Sequence, residues 1–90
     1  MKTIKAYLNF EHGKLLETGK YEPEISERAV AVESIKFFAR HFIESNKLTG
    51  QINIESRDRK LYLRYDVKPK KYMKLLKEEL KKRYDIEENE

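Results

Sequence analysis

The stretch QINIESRDRKLYLRYDV, residues 51–67, decides the fold because it contains two short runs in which apolar and polar residues alternate. A period of two places successive side chains on opposite faces of a strand. The apolar positions of the two runs are Ile52, Ile54, Leu61, Leu63, Tyr65 and Val67. Between them, residues 57–60 are all charged, which is typical of an exposed tight turn. The stretch therefore predicts a β-hairpin.

The amino-terminal sequence MKTIKAYLNF, residues 1–10, alternates in the same way and predicts another strand. A turn follows, in which Gly13 can take positive φ, and residues 14–21 are predicted to return as a second strand. Two adjacent leucines break the alternation of this second strand. Gly19 predicts either a bulge or an irregular end.

Helical spacing of apolar residues marks two further segments. In residues 23–46 the predicted core stripe is Ile25, Ala29, Val32, Ile35, Ala39, Phe42 and Ile43. Residues 46–50 supply the stop for this helix. Pro69 is predicted to open a second helix that runs to about residue 84. Its core stripe is Tyr72, Met73, Leu76, Leu80 and Tyr84.

These elements predict an α+β two-layer sandwich in the order ββαββα, with an antiparallel or mixed sheet and both helices on one face. If residues 14–21 do not form a strand, the order becomes βαββα and the class is unchanged. We expect a single domain over residues 1–84. The acidic residues 85–90 are predicted to be a frayed tail.

The composition excludes several classes of protein. The chain has 90 residues, no cysteine and 40% charged residues, so it cannot be a disulfide scaffold or use a cysteine nucleophile. The sequence shows no apolar signal segment and no membrane-spanning run, which predicts a cytoplasmic protein that does not interact with membranes. Abundant Lys, Glu and Ile favour a thermophilic source, although an AT-rich mesophile or phage genome biases composition similarly.

Positive charge is concentrated in the second half of the chain. Residues 46–84 contain thirteen Lys and Arg against five Asp and Glu, whereas residues 1–45 are balanced and residues 85–90 have a charge of −4. Such a block predicts contact with phosphates, acidic proteins or anionic lipid head groups. The predicted nucleic-acid-binding residues are Arg57, Arg59, Lys60, Tyr62, Arg64, Lys70, Lys74, Lys77 and Lys81. Alternatively, exposed lysines of this kind serve helix formation and solubility.

The outward face of the predicted sheet mixes cations with tyrosines. If the strands pair as proposed, this face presents Lys5, Tyr7, Asn53, Tyr62 and Arg64. Tyrosines between cations can stack unpaired bases while the charges hold the backbone. Tyrosine is also favoured in strands for packing reasons alone, and the sequence contains no known nucleic-acid-binding motif.

A second row on the first helix faces away from the core stripe. Val30, Phe37 and His41 are spaced so that they share this side, together with Ser34. An apolar surface on a small domain indicates a partner site, and a symmetric homodimer is the simplest form. Alternatively, residues 14–21 fold over Phe37 and cover it.

Catalytic and metal-binding patterns are missing from the sequence. It has two histidines without metal-ligand spacing and isolated glycines that form no phosphate-binding loop, so we expect no metal, no cofactor and no enzyme activity. The leading prediction is a small intracellular nucleic-acid-binding or nucleic-acid-associated regulatory module. The alternative is a protein-interaction module, such as a homodimeric viral or mobile-element accessory protein, that does not bind nucleic acid.

Overall fold

The computed structural model describes residues 3–22, 27–57, 60–84 and 86–88. Its elements are β1 (Ile4–Glu11), β2 (Lys14–Tyr21), α1 (Glu27–Asn46), β3 (Thr49–Arg57), β4 (Lys60–Lys68), α2 (Lys71–Arg83) and β5 (Ile86–Glu88). The strands form one sheet in the order β2-β1-β3-β4-β5, in which β1 to β4 are antiparallel. Four antiparallel strands and two helices confirm the predicted α+β class.

The carboxyl-terminal segment corrects the predicted order of elements. The described residues follow the order ββαββαβ, because Ile86–Glu88 adds a fifth strand parallel to β4. The predicted order ββαββα is therefore not matched, and residues 86–88 are not a frayed end. Residues 86–88 form a strand because their backbone groups pair with the exposed edge of β4. Such pairing does not depend on apolar side chains. Asp85, Asn89 and Glu90 lie outside the described residues.

The core lies between the sheet and both helices. Alternate side chains of β1, β3 and β4 are buried on one face, as their period of two predicts. That face packs against α1 and α2, whose buried stripes join the same cluster. The fully buried helical residues are Val32, Ile35, Ala39, Ile43, Leu76 and Leu80, all of which were predicted. Ile25, also predicted for the core, lies outside the described residues.

The turns and helix ends follow local backbone chemistry. His12 and Gly13 both have positive φ, 49° and 82°, so the predicted turn between β1 and β2 is confirmed. At the end of α1, Lys47 takes a φ of 52° and the amide of Leu48 donates to the carbonyl of Ile43 at 3.1 Å. Helix α2 begins two residues after Pro69. Neither helix in the described ranges is long and apolar enough to cross a membrane.

Candidate functional site

The sheet face opposite the helices is the most distinctive surface of the described structure, and we call it the open face. The strand register places two rows of side chains across it, Tyr21, Lys5, Glu55 and Tyr62 in one row and Gly19, Tyr7, Asn53 and Arg64 in the next. A shallow depression of about 840 Å³ lies over both rows. The outward residues expected from the alternation, Lys5, Tyr7, Asn53, Tyr62 and Arg64, all line it.

Tyr7 is held flat against the open face by its neighbours on β2. Its ring lies over Gly19, where an added Cβ would come within 2.6 Å of the ring atom Cε1. Its hydroxyl donates a 2.6 Å hydrogen bond to Oε1 of Glu17, and this bond, with partial desolvation and the carboxylate charge, raises the pKa of Tyr7. The glycine therefore makes room for a neutral aromatic ring of fixed orientation.

Tyr62 lies within a small charged cluster at the other side of the depression. The guanidinium of Arg57 lies 4.4 Å from the centroid of the Tyr62 ring, a cation–π distance. Nε of Arg57 also lies 2.8 Å from Oε2 of Glu55, and Nζ of Lys5 lies 3.9 Å from the other oxygen of that carboxylate. One carboxylate is thus shared by two cations, which leaves the cluster positive.

Charge is unevenly distributed over the open face. We define the basic end by Lys5, Arg57, Lys60 and Arg64, which lie toward the β3–β4 turn and are opposed there by Glu55. Arg64 is exposed and forms no ion pair with any residue that the structure describes. Arg59, predicted to belong to this group, is outside the described residues. The basic end can therefore attract an anionic ligand to the tyrosines beside it.

Tyr21 is a site residue that the sequence analysis missed. It is 61% exposed and lines the same depression as Tyr7 and Tyr62. The register shift in β1–β2 leaves Leu16 as an extra residue on β2, a β-bulge. Beyond the bulge the alternation of β2 is regular and places Tyr21 on the open face. The broken alternation at the adjacent leucines was the available signal, but it did not show which face the following residues would take.

The lysines of α2 do not join the basic end. Lys70, just before α2, and Lys74 and Lys81 within it are exposed and Lys77 is half-buried, but α2 packs on the helical side of the sheet through Leu76 and Leu80. The structure thus divides the predicted hairpin-and-helix surface between two faces. Lys77 and Lys81 also have interaction partners already. The cations of the β3–β4 hairpin and the lysines of α2 are close in sequence, but they do not lie on the same surface.

The second row of α1 is exposed, which is one of the two alternatives that the sequence left open. Val30 is 72% and Phe37 66% exposed, and the ring of His41 is stacked parallel to that of Phe37 with centroids 6.4 Å apart. We call Val30, Phe37 and His41 the α1 ridge. Leu15 of β2 lines a groove beside Phe37 but does not cover it. The alternative, in which residues 14–21 cover Phe37, is therefore not what the structure has.

The described residues contain no group of three or more His, Asp or Glu side chains that could hold a metal ion. The site consists instead of aromatic, cationic and amide side chains together with the carboxylate of Glu55, a set of groups suited to stacking, ion pairing and hydrogen bonding. No protein-family model, curated protein or solved structure matches the chain.

Proposed function

We propose that the protein is a small intracellular module that binds single-stranded nucleic acid on the open face, without catalysing a reaction. The observation that supports this most strongly is the shared depression, in which Tyr7, Tyr21 and Tyr62 lie beside the cations of the basic end. Aromatic faces and positive charge on one surface match the two parts of a nucleotide strand, its bases and its phosphates.

Each part of the surface has a separate role in this proposal. Stacking of a base on an aromatic side chain contributes ~1–3 kcal/mol, and any base can provide the π-face. Arg64, which has no ion-pair partner among the described residues, is free to contact phosphate, and the guanidinium plane of Arg57 over Tyr62 extends the stacking surface.

Single strands fit this face better than duplexes. The bases of a duplex stack on one another and present only their edges in the grooves, whereas a single strand can splay its bases onto a flat sheet. The rows are formed by neighbouring strands about 4.8 Å apart, so Tyr21 and Tyr62 are separated by three strand spacings, about 14 Å. That span accommodates more than one stacked base.

Fluorescence anisotropy of labelled oligonucleotides tests the proposal. We expect single-stranded DNA or RNA to bind more tightly than a duplex of the same length, and we expect Tyr62→Leu and Tyr21→Leu each to weaken binding at least about fivefold, the lower end of the stacking range. Phe37→Leu is the matched control, because it removes an exposed ring from the helical side. Equal binding by the tyrosine variants and the control would contradict the proposal.

Self-association through the α1 ridge is a second candidate function, supported by the exposure of Val30 and Phe37. Glu33 precedes Phe37 by about one turn and Arg40 follows it by about one turn. A second copy packed antiparallel on α1 would bring Glu33 of each copy beside Arg40 of the other, as a two-fold symmetric contact requires. The ridge is therefore complementary to itself in apolar character, whereas Glu33 and Arg40 beside it already pair with Lys20 and Glu44 in the single chain.

Sedimentation analysis tests this second candidate. We expect the wild-type protein to sediment as a dimer and Phe37→Glu as a monomer. Leu75→Glu is the matched control, since Leu75 is another exposed apolar residue, 50% exposed, but lies on α2. A monomeric wild type, or equal masses for all three proteins, would exclude the dimer.

A further inference from the structure

Three amide side chains occupy adjacent positions in the middle of the sheet. Asn9 of β1 and Gln51 of β3 are direct partners in the register, and Asn53 lies two residues along β3, between Tyr7 and Arg64. Gln51 and Asn53 are exposed and Asn9 is half-buried. We call these three residues the amide row.

Strand stability does not account for the amide row. Asparagine is depleted in strands, where threonine and other β-branched residues are favoured on a solvated face. None of the three amides forms a side-chain hydrogen bond with another residue in the described part of the chain. Each therefore keeps its donor and acceptor groups available to a ligand on the open face.

The amide row lies beside Tyr7, so its hydrogen-bonding groups can reach a base that stacks on the Tyr7 ring. Side chains directly opposite on paired strands have Cβ atoms ~4.5–5.5 Å apart, and Asn53 is the partner of Tyr7 across β1 and β3. The Tyr7 ring extends from β1 over Gly19 of β2, so a base stacked on its outer face would lie above β1 and β2, with the edge nearer β3 directed toward Asn53. Asparagine and glutamine form paired hydrogen bonds with N6 and N7 of adenine.

We propose that the amide row makes the open face selective for adenine-containing single strands. This inference rests on the proposed function, since it requires bases to stack on the open face. Tyr7 holds the base, Asn53 hydrogen-bonds its edge, and Gln51 and Asn9 extend the same hydrogen-bonding surface to a neighbouring base. Arg64 lies on the other side of Asn53 in the register. In this arrangement its guanidinium would contact the phosphate of the bound nucleotide.

The experiment compares anisotropy titrations of labelled all-adenine, all-cytosine and all-thymine single strands of equal length. Wild-type protein is expected to prefer adenine by at least about fivefold, the lower end of what a paired hydrogen bond contributes to base discrimination. Asn53→Thr retains a residue suited to a strand and is expected to bind the three oligomers with similar affinity. Gln51→Thr is expected to reduce the preference. Asn46→Thr, an amide change on the helical side, is expected to leave it intact.

The outcomes separate the inference from the proposed function. Wild-type binding of equal strength to all three oligomers overturns the selectivity and leaves the binding surface in place. A preference for another base, or an adenine preference that survives Asn53→Thr, also overturns the inference. Failure of the wild type to bind any oligomer overturns the inference and the proposed function together.

Discussion

Removal of the Arg64 charge is predicted to change how steeply single-strand binding weakens as salt increases. The basic end has four cations, Lys5, Arg57, Lys60 and Arg64, and the carboxylate of Glu55 neutralises about one of them. About three positive charges remain to contact phosphates. Each phosphate neutralised on a single strand contributes about −0.7 to the slope of log affinity against log salt, so the wild-type slope should be about −2.

The expected change is large enough to measure. A fourfold increase in salt should weaken wild-type binding about twentyfold, whereas Arg64→Gln, with one contact fewer, should have a slope of about −1.4 and weaken about sevenfold. Lys74→Gln makes the same change of charge on the exposed side of α2 and should retain the wild-type slope. The three proteins can be compared by anisotropy over a series of salt concentrations.

Two results would refute this reasoning. If Lys74→Gln flattened the slope as much as Arg64→Gln, phosphates would be contacting the helical side as well as the sheet. If neither variant changed the slope, the basic end would not be neutralising phosphates. Thermal unfolding of both variants provides the control, because a loss of folded protein would lower affinity without a specific effect on the slope.

Three further predictions concern the fold that supports the site. Gly50→Ala should destabilise the protein by at least ~2 kcal/mol in thermal unfolding, since Gly50 has a φ of 146° and an added Cβ would overlap the carbonyl oxygen of Asp66. A variant with wild-type stability would contradict this. Leu76→Ala should cost ~2–5 kcal/mol in urea unfolding, because Leu76 is fully buried, and a cost below ~1 kcal/mol would show that the helix is not packed as described. The hydrogen bond from Lys20 lowers the pKa of Glu33 in the folded protein. The pair therefore stabilises the fold at neutral pH, and this stabilisation is lost when acid protonates the carboxylate at a pH below the usual pKa range of glutamate. Glu33→Gln should therefore lose less stability on acidification than the wild type. Because the pair is exposed, the difference between the two proteins in this loss should be under ~1 kcal/mol. Identical curves of unfolding free energy against pH would contradict this.

Local periodicity was sufficient to predict the strands and helices that bury apolar side chains. Ile52 and Ile54 of β3 and Leu76 and Leu80 of α2 lie in the core as their spacing indicated. In each segment only one set of alternate or helically spaced positions is apolar, so the sequence of the segment is enough to identify the residues that face the core. The same alternation also identified most of the open face.

Non-local pairing was not predictable from the chain. Strand β5 contains one apolar residue in three and is held by backbone pairing with β4, for which its side chains provide no pattern. The neighbouring chain positions of the β3–β4 hairpin and α2 indicated one basic surface, but a helix that buries Leu76 and Leu80 must lie on the core side of the sheet. The cations of the two elements therefore face different sides of the molecule.

The central claim is that single-stranded nucleic acid binds the open face and not the helices. NMR titration of ¹⁵N-labelled protein with an unlabelled single-stranded oligonucleotide tests it most directly, because each backbone amide reports on its own surroundings. We predict that the largest shift changes fall on β1, β3 and β4 around Tyr7, Asn53 and Tyr62, with little change along α2. Shift changes that centre on Lys74 and its neighbours in α2, or a spectrum that does not change with added oligonucleotide, would contradict the claim.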